Sequence, residues 1–467
     1  MNGMATRRSG FAQSFLQSAH ARENRFHDFA DTQRWLGDLR ANCDCRIQRV
    51  PFSELEQWYF DEHSGDLRHR SGRFFSVAGL QCTPLHEPAA TWKQPIILQP
   101  EVGILGILTR EFDGTRYFLM QAKMEPGNVN LVQLSPTLQA TFSNYSQAHK
   151  GNLPPYTQFF LDADARVINS QLQSETGTRF FQKFNRNVLL DIDDDVDVLP
   201  GFRWLTLYEI RKLMAEDDAV NMDSRSVLSN VMLPAAPSGD EGGTAFLRSA
   251  TSAPDAGHAT LGALRSWLDA MRSKLTIETR QIGLKDVDDW VRDDWSVHHA
   301  TRNYFEIAGV RVEGAAREVA GWCQPLLKHE GLGLSGFLCT EIGGVLHFCM
   351  QAKAEPGIVG SVELAPTVSL FDYRQRAEKG IDVPYLDCFL QARAPAIVHS
   401  SIQSEEGGRF WNLRNHVLVV QLPRADAIKM RDNFAWMTLA QLHALSQGES
   451  RVNSEARTLL ACLPLFD

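Results

Sequence analysis

Short runs of alternating apolar and polar residues fill most of this chain, and the same runs come round twice. Residues 103–110 and 115–123 flank Asp113-Gly114, and residues 332–341 and 345–353 flank Gly343-Gly344. Each set predicts a β-hairpin closed by a tight turn. In the strand that follows, Val132 and Leu134 share one face, as do Val362 and Leu364, which leaves Gln133 and Glu363 on the opposite, available face. Thr206-x-x-Glu209 and Thr438-x-x-Gln441 have the form of capping boxes. Leu207, Ile210 and Met214, matched by Leu439, Leu442 and Leu445, give a helical stripe after each box, so each half is expected to end in a capped amphipathic helix.

The recurrence is literal. Gln121-Ala-Lys-Met-Glu-Pro-Gly127 returns as Gln351-Ala-Lys-Ala-Glu-Pro-Gly357, and Gln173-Ser-Glu-Thr-Gly-Thr-Arg-Phe180 as Gln403-Ser-Glu-Glu-Gly-Gly-Arg-Phe410, both at an offset of 230. Pro136-Thr137 and Trp92 keep that offset, while Trp58 with Trp290 and Trp204 with Trp436 drift by two. The chain therefore reads as a tandem duplication. Residues 233–260 concentrate Pro, Gly, Ser and Ala and are expected to be a linker between a first repeat, 1–232, and a second, 261–467. The predicted class is α+β: two domains, each an antiparallel or mixed sheet with a few helices, packed about a pseudo-twofold axis.

Composition narrows the function. A net charge of −9 and a pI near 5.9 remove the basic footprint of a nucleic-acid binder. No apolar run reaches the ~18–20 residues of a bilayer span, so no membrane association and a cytoplasmic setting are expected. The eight cysteines form no Cys-x-x-Cys and have no cysteine at their repeat equivalents, so no metal site is expected of them. Phosphate-loop, dinucleotide, zinc-protease and nucleophile-elbow motifs are absent.

Candidate chemistry gathers in the repeated motifs. Lys123 and Glu125, with Lys353 and Glu355, are suited to holding a pyrophosphate, polarising a carbonyl or moving a proton, or else to forming an ion pair at a strand end. Gln173, Ser174, Glu175 and Arg179, matched by Gln403, Ser404, Glu405 and Arg409, set an amide, a hydroxyl, a carboxylate and a guanidinium within seven residues. Arg is the natural diphosphate clamp, and a capped turn with an Arg–Glu bridge is the structural alternative. Tyr145, Tyr156, Tyr373 and Tyr385 are candidate proton donors or stacking platforms, and Trp58, Trp92, Trp204 and their repeat partners are expected in the core. His298-His299 has no visible counterpart and is expected at the surface.

The runs Gln121 to Thr137, Ser143-Asn-Tyr145, Gln171 to Glu175 and Asn185-Arg-Asn187 resemble the NDP-hexose 2,3-dehydratases of deoxysugar biosynthesis, notably the vancomycin-group, epivancosamine-type branch. The resemblance spans roughly 30–232 and 260–465. It implies a Nudix-hydrolase-like fold for each half and a dTDP-4-keto-6-deoxy-D-glucose substrate dehydrated at C2 and C3 to a 3,4-diketo-2,6-dideoxy sugar. It also implies a bacterial cytoplasmic enzyme, expected as a homodimer, feeding an NADPH-dependent 3-ketoreductase. Both halves lack the Nudix glutamate box, so magnesium and pyrophosphate hydrolysis are not implied, and no cofactor is expected. A Nudix-type pyrophosphohydrolase and a non-catalytic nucleotide-sugar binding protein are the rival classes. Lys123, Glu125, Glu175, Tyr145 and Tyr156 are the expected catalytic residues; Asn130, Gln133, Thr137, Gln171, Thr367, Tyr373 and Tyr385 join the paired motifs as substrate contacts. The first half is the favoured catalytic one, because Glu363 in place of Gln133 would oppose a pyrophosphate, and the second is expected to be a vestigial or regulatory nucleotide-sugar site.

Overall fold

A computed structural model describes residues 11, 13–141, 153–231, 244–314, 321–371, 382–447 and 451–465. The predicted hairpins are present as Gly103–Phe112 with Thr115–Met124 and Gly333–Ile342 with Val345–Ala354. Both residues of each turn have positive φ (Asp113 49°, Gly114 80°, Gly343 61°, Gly344 80°), the two-residue turn that matches strand twist. Each hairpin is the centre of a seven-stranded mixed sheet. Phe184–Asp191 runs parallel to Gly103–Phe112, and Arg414–Gln421 parallel to Gly333–Ile342.

The halves are not separate bodies. Cys45–Val50 of the first half pairs antiparallel with Glu306–Gly314 of the second, while Ile277–Ile282 of the second pairs with Ser76–Pro84 of the first. Each half thus lends one strand to the smaller sheet of the other. A single apolar cluster also runs through both large sheets, joining Ile107, Phe118 and Leu134 to Phe337, Phe348 and Leu364. The two units expected from sequence share one core.

Both capping boxes form, at Thr206 and Thr438, and bury the stripes behind them. Neither half ends there. A further short helix follows in each, Met222–Leu228 and Ser454–Ala461, capped by Asn221 and Asn453. Part of the expected linker is structured as well: Ala245–Thr251 is a helix whose Ser249 Oγ accepts from Leu439 N at 2.9 Å. Residues 13–20 are helical and Ser18 Oγ accepts from Leu207 N at 2.8 Å, so 245–251 is the second half's version of that N-terminal helix.

Trp58, Trp204 and Trp436 are buried as expected, whereas Trp92, Trp290 and Trp322 are only half-buried. His298 departs from expectation: it is buried beside Ser296, with Ser296 Oγ 3.0 Å from Nδ1. His299 does have a counterpart, His69, since each packs edge-on against the matching Trp290 or Trp58. No helix among the described residues is long and apolar enough to cross a membrane.

Candidate active site

The Lys-x-Glu-Pro-Gly element lies where a central strand stops. Lys123 sits on Thr115–Met124 opposite Gln133, and Lys353 on Val345–Ala354 opposite Glu363. Proline then ends the ladder. The chain turns back, with Glu125 N donating to Leu131 O at 3.0 Å and Glu355 N to Ser361 O at 2.7 Å. The ion pair offered as the structural alternative is present in both copies, with Lys123 Nζ 3.8 Å from Glu125 Oε1 and Lys353 Nζ 2.8 Å from Glu355 Oε1.

The second motif, Gln-Ser-Glu-x-Gly-x-Arg, meets this turn from the other half. Gly127 N donates to Gly407 O at 2.8 Å and Gly127 O accepts from Asn412 N at 2.7 Å; Gly357 N donates to Gly177 O at 2.7 Å and its carbonyl accepts from Gln182 N at 2.8 Å. A Cβ on Gly127 would stand 1.7 Å from Phe410 O, and one on Gly357 1.8 Å from Phe180 O, so the glycines are set by close backbone approach. Two junctions result, each combining the lysine motif of one half with the arginine motif of the other. The face expected to be available is covered: Gln133 donates to Ser404 Oγ at 2.8 Å, and Glu363 accepts from Ser174 Oγ at 2.7 Å.

In the first junction Gln139 donates to Glu125 Oε1 at 2.8 Å and Asn221 to Oε2 at 3.5 Å. Asp223 and, from the second half, Glu406 complete it. Burial raises the Asp223 carboxyl well above the usual range, and Glu406, Glu125 and Glu175 add to the shift while Lys123 opposes it. Burial likewise pushes Glu406 up to about 8; Arg409 pulls the other way, and Glu175 and Glu125 reinforce the rise. Arg225, fully enclosed, donates to Ser404 O at 2.6 Å and Gln403 Oε1 at 3.1 Å and so fixes the incoming loop.

In the second junction Glu355 Oε2 accepts from Gly177 N at 3.1 Å. Glu455, pushed up to about 7 by burial and then by Glu355, accepts from Ser454 Oγ at 3.1 Å. Arg457 bonds to Ser174 O as Arg225 does to Ser404 O. These residues escaped the sequence reading, although Asn221-Met-Asp-Ser-Arg225 and Asn453-Ser-Glu-Ala-Arg457 repeat at an offset of 232. The offset already seen for Trp204 and Trp436 was the available signal.

The other expected residues are engaged around the junctions or in the packing beside them. Arg179 lies between the rings of Phe305 and Phe371, 4.2 and 4.0 Å from its guanidinium carbon, and Arg409 lies 4.2 Å from the Phe75 ring; both rest on the opposite half. Burial lowers Arg179 to about 10, against Glu455, Glu355 and Glu405. Glu175 and Glu405 are buried, accept from Asn185 and Asn415, and are raised chiefly by burial. Thr137 and Thr367 stitch strands, accepting from Leu108 N and Leu338 N at 2.9 Å and donating to Leu119 O and Cys349 O.

Asn130 donates to Asp218 O at 2.7 Å, and Gln171, Gln173 and Gln403 bond to Gln447, Ser446 and Met214. Tyr156 and Tyr385 fasten loops: each hydroxyl donates to a carbonyl, of Asp197 or Lys429, and accepts from a peptide N–H, of Leu199 or Arg431. Tyr145 and Tyr373 lie outside the described residues. No group of three His, Cys, Asp or Glu side chains among the described residues is arranged to hold a metal ion.

A duplicated fold with paired seams of half-buried ammonium and buried carboxylate and amide groups is equipped for acid–base work on a polar substrate. The chain belongs to the NDP-hexose 2,3-dehydratase family, whose model matches residues 29–231 and again 261–463. Similar proteins include one from Amycolatopsis orientalis, 42% identical over 444 residues (93% of this chain, 89% of the relative). Another, from Saccharopolyspora spinosa, is 38% identical over 465 residues (97% and 95%), and one from Streptomyces violaceoruber 41% over 448 (94% and 98%). All three are named dTDP-4-dehydro-6-deoxy-alpha-D-glucopyranose 2,3-dehydratase.

Proposed function

We propose that this chain dehydrates dTDP-4-keto-6-deoxy-D-glucose across C2 and C3, using the first junction. The observation that carries the reading is the near full-length match to three relatives of that name, joined to a Lys–Glu pair held by Gln139 and Asn221. The 4-keto group acidifies the C3 proton. Glu125, oriented by its two amide donors, takes that proton, and Lys123 steadies the charge growing on the C4 oxygen. The C2 hydroxyl, β to the ketone, then leaves as water. The resulting 2-ene-3-ol tautomerises to a 3,4-diketo-2,6-dideoxy sugar, for which an NADPH-dependent 3-ketoreductase is the fitting consumer. Arg179 and Arg409 remain the diphosphate candidates, each now serving the opposite half. We also read each half as Nudix-like, on the support of its mixed sheet with packed helices.

The test is incubation of the purified chain with this keto sugar in EDTA, with a ketoreductase and NADPH present. Oxidation of NADPH and appearance of a 2,6-dideoxy sugar are expected. Unchanged substrate, or release of dTMP, would overturn the reading.

A further inference from the structure

One side chain of the first junction has no chemical counterpart in the second. Glu406 occupies the place that Thr176 occupies in the other half, and the Thr176 hydroxyl is engaged with Ser454 Oγ at 3.0 Å. The paired backbone bonds of Gly127 to Gly407 and Asn412 press the 405–408 loop onto the turn that carries Glu125. The Cα of Gly408 faces both carboxyls: a Cβ built there stands 2.8 Å from Glu406 Oε1 and 3.8 Å from Glu125 Oε1. Resting on the dehydration reading, we propose that Glu406, supplied by the second half, is the general acid that protonates the departing C2 hydroxyl in the first junction.

The step balances: Glu125 gains the proton from C3, the C2–O bond breaks with its electrons, and the Glu406 proton leaves in the water formed. The surroundings suit an acid. Burial above all, then Glu175 and Glu125, hold the Glu406 proton on, with Arg409 and Lys183 the opposing cations, and Asp223 is the neighbouring carboxyl that burial and Glu406 in turn keep protonated. At neutral pH the carboxyl is mostly protonated, and the proton is lost as pH rises through about 8. Arg225 is the positioning residue, since it grips the Ser404 carbonyl two residues upstream.

The test compares the natural substrate with its 2-deoxy-2-fluoro analogue, whose fluoride leaves without a proton. In the unaltered enzyme, kcat for the hydroxyl substrate should fall above about pH 8 while kcat for the fluoro analogue does not. Glu406→Gln should lower kcat on the hydroxyl substrate by ~10²–10⁴-fold yet turn over the analogue within about threefold of wild type. Glu406→Thr, carrying the residue of the other junction, repeats the comparison should the glutamine variant not fold. A wild type that leaves the keto sugar untouched would remove the dehydration reading itself. An active wild type with the same alkaline limb on both substrates, or a variant equally impaired on both, would overturn the assignment of Glu406 alone.

Discussion

The two junctions share one plan and differ in what they leave free to exchange protons. In the second, burial works against the Lys353 ammonium, but Glu355 and Glu455 outweigh it and raise its pKa, and Glu363 stands directly opposite. That lysine is bound into a tight ion pair. In the first, Lys123 faces the neutral Gln133, its carboxylate partner is a full ångström further away, and Glu406 replaces a threonine. Duplication kept the scaffold in both seams and kept protonatable groups beside a more widely spaced lysine–glutamate pair in one. Buried ion pairs are costly to break, and this difference is what supports our proposal that the first junction is the working one.

The largest effect should come from the lysine–glutamate pairs. Lys123→Ala or Glu125→Gln is expected to reduce kcat by ~10²–10⁴-fold, because an electrophile or base forfeits its transition-state contribution. Lys353→Ala and Glu355→Gln should leave turnover within a few-fold while lowering the melting temperature. Product formation followed by chromatography, with circular dichroism as the fold control, decides it. Equal losses of turnover from both pairs would show that both seams work.

Next in size is the packing that makes the junctions alike. Gly127→Ala and Gly357→Ala each put a methyl group into a backbone carbonyl of the other half and should destabilise by about 1–3 kcal/mol or more. Urea denaturation should return similar losses for the two. A much smaller loss in one would break the equivalence.

Much of this was legible in the sequence because a pattern that must hold twice is a strong constraint. The hairpins, the capping boxes and the strand-end position of the Lys-x-Glu pairs all follow from local chemistry. What was not legible is long-range. Alternation places Gln133 and Glu363 away from the core but cannot say that the other half covers them. Strand propensity in Cys45–Val50 and Ile277–Ile282 does not reveal that they pair across the repeat. Asp223 and Glu406 lacked notice because neither is identical in the two copies, and asymmetry is invisible to a search for identities.

A smaller effect is expected in the pH dependence of stability. Glu455 and Glu406 keep their protons in the folded chain up to about 7 and about 8, whereas ordinary glutamates release them near 4.5. Between those values the folded state binds more protons than the unfolded one, so stability falls as pH rises. Glu455→Gln should flatten that decline up to about pH 7, and Glu406→Gln should flatten it further, to about pH 8. Urea midpoints from pH 5 to 9 measure it. Variants whose midpoints fall in parallel with wild type across the window would place the proton uptake on other groups.

The smallest effect separates a fastener from a reagent. Tyr156 and Tyr385 are equivalent in geometry: each starts a short helix from a left-handed backbone (φ 61° and 63°) and ties down a loop through one donated and one accepted hydrogen bond. Burial raises both phenols above their ordinary pKa, which keeps them protonated and bonded. Phenylalanine keeps the ring and removes only the hydroxyl, so each substitution should lower stability by ~0.5–1.5 kcal/mol per bond lost. If both are fasteners, the two variants lose similar stability and neither loses kcat. If Tyr156 instead moves a proton for the first junction, Tyr156→Phe alone should lose at least tenfold in kcat, a difference that single-turnover kinetics would resolve even where the change in melting is small.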